Sequence, residues 1–291
     1  MAVGFHIHPN GGGLVADTAL VAASAYVSKY AVVYDAAAVT DNARIEGYAR
    51  VFDSATVSGN AHISDSAEIR HSAVVSDSAR VTGNAVVAMT ACISESALVS
   101  EHAQVFGGAN VSGEARVSGS ANVSGKKTKV SDGAHVSGNS QVSDSAEVYG
   151  NAQVTDGARI SDSAKIFGEA TVSGKSSVSG KAEVYGNAQV SGEAYVSDSA
   201  RIAGKAVVTD RTYVSGSALI VDRTQVSGRS SVTGNVRVFG RAMISGNARL
   251  FGEALVTGKA TVSGDSRLSG SVKIHGDAVI TQGEYDSGQY T

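Results

Sequence analysis

The sequence predicts an all-β fold, a triangular parallel β-solenoid of about 15 coils of 18 residues. Three observations point to it. An aliphatic residue recurs at every sixth position, a small residue stands two places before it, and a turn-forming residue stands two places after it. Val57-Ser58-Gly59-Asn60-Ala61-His62 is a representative hexad, with the aliphatic residue taken as position one. One run extends from Val15 to Val123 and a second from Val130 to Ile280, and every first position in both is Val, Ile or Leu.

Each part of the hexad has a physical reason. Ala61-His62-Ile63-Ser64 alternates small, polar, aliphatic, polar, which has the period of two of a strand and not the 3.6 of a helix. Positions five and one therefore face inward, while positions six and two face outward. Position three, mostly Gly or Asp, makes the corner: Gly adopts left-handed angles without a Cβ penalty, and Asp tolerates them through local side-chain hydrogen bonds. Three such sides close a coil, and stacked coils hydrogen-bond as parallel strands about 4.8 Å apart. Ala at position five fits the cramped space beside a corner, and Val at position one fills the prism. No coil is stable alone, because its contacts are with its neighbours. The expected organisation is an N-terminal cap over 1–14, one repeat domain over 15–281 and a C-terminal tail over 282–291.

The hexads break in three places. Met1 to Leu14, with His6 and His8, reads as a cover for the open edge of the first coil, which would otherwise invite aggregation. The step from Val123 to Val130 is one residue longer than a hexad, and its stretch 124–129 carries Lys126, Lys127 and Lys129, so it is either a corner bulge or an anion-binding corner. The tail, with Tyr285 and Tyr290, either folds over the last coil or docks on a partner.

Composition excludes several function classes. A net charge of −3 gives no global basic field, so neither nucleic acid nor an anionic membrane is an expected partner. No apolar run is long enough for a membrane span. The N-terminus has neither the basic nor the apolar region of a signal peptide, and the expected location is cytoplasmic or virion-associated. The one Cys, Cys92, forms no internal disulfide, and no Cys/His spacing suggests a metal site.

The hexad pattern, over nearly the whole chain, resembles the hexapeptide-repeat superfamily. The near-identical units Val148-Tyr149-Gly150-Asn151-Ala152 and Val184-Tyr185-Gly186-Asn187-Ala188 resemble uncharacterised bacterial and phage-associated solenoids often labelled acyltransferases. The resemblance implies a single-stranded, left-handed parallel β-helix. It also raises an acyltransferase-like activity, in which a catalytic His sits beside acyl-CoA at a subunit boundary next to an excursion loop. Between Val15 and Ile280 no break adds more than one residue, so the resemblance carries a catalytic, cofactor-binding or metal-ligating role to no position here.

Outward position two is usually Ser or Thr, and its exceptions are informative. Tyr149, Phe167 and Tyr185 are 18 apart, and Phe239 lies three further periods on, with Ala203 and Val221 between. Tyr34, Phe52 and Phe106 obey the same spacing earlier in the chain. Counted in hexads, this stripe passes to the next face at the lysine corner, unless the extra residue undoes the shift. An aromatic column outside a solenoid either stacks to support its own ladder or marks a surface for self-association or a protein partner. A column of hydroxyls from Ser137 to Thr281 raises ice binding, but its companion column (His135, Gln153, Thr171, Gln189) lacks the paired Thr ranks associated with it. The expected function is a non-catalytic, rigid scaffold, such as a phage or cell-associated assembly component, ahead of an acyltransferase-like enzyme and an ice-binding solenoid; no cofactor is expected.

Overall fold

A computed structural model describes residues 4–291 of the chain. The first three residues of the 1–14 segment lie outside the described residues. The chain divides into two compact units, Met1–Ser145 and Ala146–Thr291. Each is a parallel β-solenoid with an 18-residue period and three sheets, and over both units there are about 15 turns. The described residues contain no helix, and so none long and apolar enough to cross a membrane.

In the first unit, Leu14–Ala16 pairs with Val32–Val33, which pairs with Arg50–Val51. The second sheet begins Leu20–Val21, Ala38–Val39, Thr56–Val57, and the third Tyr26–Val27, Arg44–Ile45, His62–Ile63. The second unit repeats the arrangement, as in Glu147–Val148, Lys165–Ile166 and Glu183–Val184. Each of these repeat strands is essentially two residues long, position six facing out and position one facing in. Position-one side chains such as Ile63 and Ile202 and position-five alanines such as Ala61 are fully buried. This places the core along the inside of each coil and leaves four residues of every hexad at or near the surface.

The corners are β-turns. The position-five N–H donates to the position-two carbonyl, as from Ala67 to Ser64 at 3.2 Å, and position three has positive φ, near +60° at Asp65 and +69° at Gly59. A positive φ at the first central residue alone is the type II′ pattern. The sequence reading assigns Asp here to local bonding. The structure has such local bonds at some corners, as from the Ser76 hydroxyl to Asp77 at 3.1 Å, and adds a second role: the Asp carboxylate reaches the next coil and accepts the backbone N–H of the corner residue 18 positions on. Asp41 does so for Gly59 at 2.9 Å, Asp162 for Gly180 at 2.9 Å and Asp210 for Gly228 at 2.8 Å. His71, also at positive φ, offers its ring Nδ1 to the Met89 N–H at 3.4 Å in the same way.

Where position five is not Ala, a buried hydroxyl usually replaces it. Ser140, Ser176 and Ser230 donate to the carbonyl three residues earlier at 2.7–2.8 Å. The hydroxyls of Thr212, Thr224 and Ser266 are buried without a partner.

The three irregular segments all join the ladder. Phe5–Ile7 pairs antiparallel with Leu14–Ala16, His8 is buried with its Nε2 3.0 Å from the Ala25 carbonyl, and Asn10 donates to the same carbonyl at 2.9 Å. Gly11 and Gly13 pass so close to the next coil that a Cβ on either would come within 2.5 Å of a backbone carbonyl oxygen. The extra residue in 124–129 is absorbed at the corner. Val105 pairs with Val123 and Val111 with Val130, so the partner spacing becomes 19 and each later strand of the first unit keeps its sheet, as in Arg116 against His135. The inserted residue therefore does not rotate these strands to another face. In the tail, Tyr285 stands opposite Leu268 and Tyr290 opposite Ile274, at the places Val or Ile occupy elsewhere. Their rings meet edge to face at 5.0 Å.

Candidate functional site

Because residues 18 apart lie directly above one another, every outward position becomes a column, and the chemistry of the surface is the chemistry of its columns. On one sheet of the second unit, position two carries Tyr149, Phe167 and Tyr185. Their rings stack nearly parallel, Tyr149 on Phe167 at 5.0 Å and 1°, Phe167 on Tyr185 at 4.9 Å and 2°. All three are half-buried. Stacking hides the faces of the central ring and leaves the ring edges outward. Beside them, position six carries Glu147, Lys165, Glu183 and Arg201, paired at 3.4 Å (Lys165 to Glu147) and 3.1 Å (Arg201 to Glu183). The Arg201 guanidinium also lies 6.0 Å from the Tyr185 ring centre. The column stops there, because Ala203 is next and is buried. Phe239 lies further along with Val221 and Thr257 as its column neighbours, so it forms no ring pair with the other three.

The first unit behaves similarly. Tyr34 and Phe52 stack at 4.9 Å and 3°, and burial pushes the Tyr34 hydroxyl up from its ordinary range, with the charges of Arg50, Asp35, Glu68 and Asp53 around it. Arg70 and Ala88 then interrupt the column before Phe106. The rings of the stripe thus form a stacked pair and a stacked triplet, with Phe106 and Phe239 apart from them.

Reading position two alone missed two aromatic pairs. Tyr195 and Tyr213 stack at 5.3 Å from position six and are 39% and 43% exposed. Tyr30 and Tyr48 stack at 5.3 Å from the corner, at position four. The signal was present as an 18-residue spacing at positions six and four. Phe251, a position-two ring outside the stripe, has the Arg267 guanidinium over it at 4.6 Å.

His62, which the hexad pattern sets outward singly, and His6 in the N-terminal segment both have acidic partners. His62 Nε2 is 2.8 Å from Glu46, and Arg44, opposite His62 in the ladder, donates to the same carboxylate from Nε at 3.1 Å while its guanidinium lies over the Tyr26 ring at 4.6 Å. Burial works against the Glu46 charge, yet the hydrogen bonds and positive neighbours outweigh it and hold the carboxyl below its ordinary range. His6 pairs with Asp17 at 2.9 Å. In both, an acidic side chain meets the histidine on the sheet surface. Cys92 is partly buried, and burial, with the Asp77 charge, pushes its thiol up, away from the reactive thiolate.

Lys126 and Lys127 lie on the inserted corner, while Lys129 is the outward residue of the strand Lys129–Val130. Thr128 turns inward at position five, fully buried, and its hydroxyl donates to the Ser124 carbonyl. The bulge is thus held by its own side chain. Among the described residues, no group of three or more His, Cys, Asp or Glu is placed to hold a metal ion. Comparison with protein-family models and with curated proteins finds no match.

Proposed function

We propose that the protein is a non-catalytic scaffold of the hexapeptide-repeat type, which self-associates or docks a protein partner through the outward aromatic columns. The observation that carries this reading is the triplet Tyr149, Phe167 and Tyr185. Three half-buried rings stand in register on a flat sheet, at a position that is Ser or Thr in most other coils. Aromatic edges backed by a stacked, rigid column offer contact area with little side-chain freedom left to lose. The corners between Val15 and Ile280 are short turns with one added residue, which supports a frame over an enzyme with an enclosed site. Assembly in a phage particle or in the cytoplasm both fit a regular, stiff surface of this kind.

The test compares the wild type with Tyr149→Ser/Phe167→Ser/Tyr185→Ser by mass photometry and light scattering. The expected result is an oligomer for the wild type and a folded monomer for the triple variant. A wild type that is monomeric throughout the concentration range removes self-association, and unchanged assembly of the variant removes the aromatic column from it.

A further inference from the structure

One corner of the second unit carries an unbroken run of four like charges. Position four there is Lys205, Arg223, Arg241 and Lys259, at 18-residue steps, and all four side chains are exposed. The backbone N–H groups of Lys205, Arg223 and Arg241 donate to the carbonyls of the following coil at 2.6, 2.9 and 2.7 Å. These cations are therefore stacked at the strand spacing of about 4.8 Å. At that spacing the same unit elsewhere sets opposite charges together, Lys165 with Glu147 at 3.4 Å, Arg201 with Glu183 at 3.1 Å and, on a neighbouring corner, Arg211 with Glu193 at 2.9 Å, or stacks like charges only in pairs, Arg211 with Arg229 and Arg249 with Arg267. Along the basic corner only Lys259 has an ion-pair partner among the described residues, the exposed Asp277 at 3.9 Å. The acid inside the run, Asp222, is engaged by the Gly240 N–H at 2.8 Å. Stacked like charges repel, and on this corner the repulsion runs through four successive coils. Residues 201–249 carry eight basic and two acidic residues in a chain whose net charge is −3.

The corner is also shaped. A shallow groove is lined by Gly204, Lys205, Asp222, Arg223, Gly240 and Arg241. We propose that this corner binds a linear acidic polysaccharide with carboxylates on successive sugars. A line of cations at a fixed interval suits a polymer with a repeating charge. The two guanidinium groups have the planar fork that a carboxylate accepts in bidentate fashion. Gln225, the outward residue of the strand that follows the corner, offers an amide to sugar hydroxyls. Single-stranded nucleic acid is the rival polyanion, and it binds where aromatic rings form a run of stacking platforms. Here the outward column before the corner is Ala203, Val221 and Phe239, a single ring. This site is separate from the Tyr149, Phe167 and Tyr185 column, and neither proposal depends on the other.

The experiment titrates the full chain with oligogalacturonate by calorimetry, with neutral dextran and a mixed-sequence single-stranded oligonucleotide as comparison probes. Binding of oligogalacturonate is expected, weakening as salt rises, with no binding of dextran. Arg223→Gln/Arg241→Gln is expected to weaken it by about tenfold or more, roughly 1.4 kcal/mol, while keeping or raising the melting temperature because repulsion is relieved. Arg211→Gln/Arg229→Gln, on the neighbouring corner, is expected to bind as the wild type does. The proposal is overturned by an absence of oligogalacturonate binding, by equal weakening in both variants, or by tighter binding of the oligonucleotide than of oligogalacturonate.

Discussion

Asp198 and Gly216 occupy the same corner one coil apart, and the Asp198 carboxylate accepts the Gly216 backbone N–H at 2.9 Å. Asp198 itself has φ of +58°. One side chain thus tolerates a left-handed backbone and closes a hydrogen bond that a corner glycine in its place would leave to water. Asp198→Ala is expected to lower stability by about 1–2 kcal/mol, since Ala pays the left-handed penalty and supplies no acceptor. Asp198→Gly loses only the acceptor and should fall between Ala and the wild type. Urea unfolding orders the three, and an Ala variant as stable as the wild type would contradict the inter-coil bond.

Buried hydroxyls give the opposite sign. The Thr224 hydroxyl has no partner, and its column neighbours one coil away are Ala206 and Ala242. Thr224→Val keeps the branched shape and removes the unsatisfied group, so stability should rise by roughly 1 kcal/mol. A decrease of that size would mean that the hydroxyl is satisfied inside the coil.

Phe167 is the central ring of the triplet, with a neighbour at 5.0 Å on one side and 4.9 Å on the other. Phe167→Ser alone breaks both stacks and should cost about 1–3 kcal/mol, at roughly 0.5–1.5 kcal/mol for each pair. Tyr149→Ser, at the end of the stack, should cost about half as much. Equal losses for the two variants would show that the rings contribute by burial and not by stacking.

Glu46 makes part of the stability of the first unit depend on pH. Its carboxyl is held below the ordinary value of 4.5, against burial, by Arg44 and His62. A lowered folded value means stability that is present above the ordinary value and lost as pH falls through the folded one. Glu46→Gln should therefore be less stable near neutral pH by roughly 0.5–1 kcal/mol, a figure reduced for partial exposure. The two proteins should converge in acid, where Glu46 is protonated in both states. Thermal unfolding followed from about pH 7 down into acid reads this loss, and a difference that stays constant as the pH falls would rule out Glu46 as the source.

The strands, the inward residues and the corners were legible in the sequence because each depends on a local period. The inward positions needed no partner to be identified: Ile63 and Ala61 face inward on alternation alone. What remained hidden depends on distance along the stack. The carboxylate of Asp198 finds its partner 18 residues on, and a reading confined to one turn assigns it to local bonding. His62 reads as solitary because Glu46 is 16 residues away in sequence, though it is 2.8 Å away in space. Comparing columns, and not hexads, recovers both, as well as the stacked pair Tyr195 and Tyr213. The tail was illegible for another reason. Tyr285 and Tyr290 follow five-residue steps in place of six, so the period that identifies the earlier coils no longer applies to them.

The seven-residue step through 124–129 separates two quantities that the rest of the chain ties together, contour length and strand phase. A codon added inside a strand would turn every later outward residue inward, whereas this corner takes up an additional residue and hands the next strand on in phase. Foreign sequence is therefore best grafted between Gly125 and Lys127, where a displayed epitope would project from the corner and the columns on either side would keep their order.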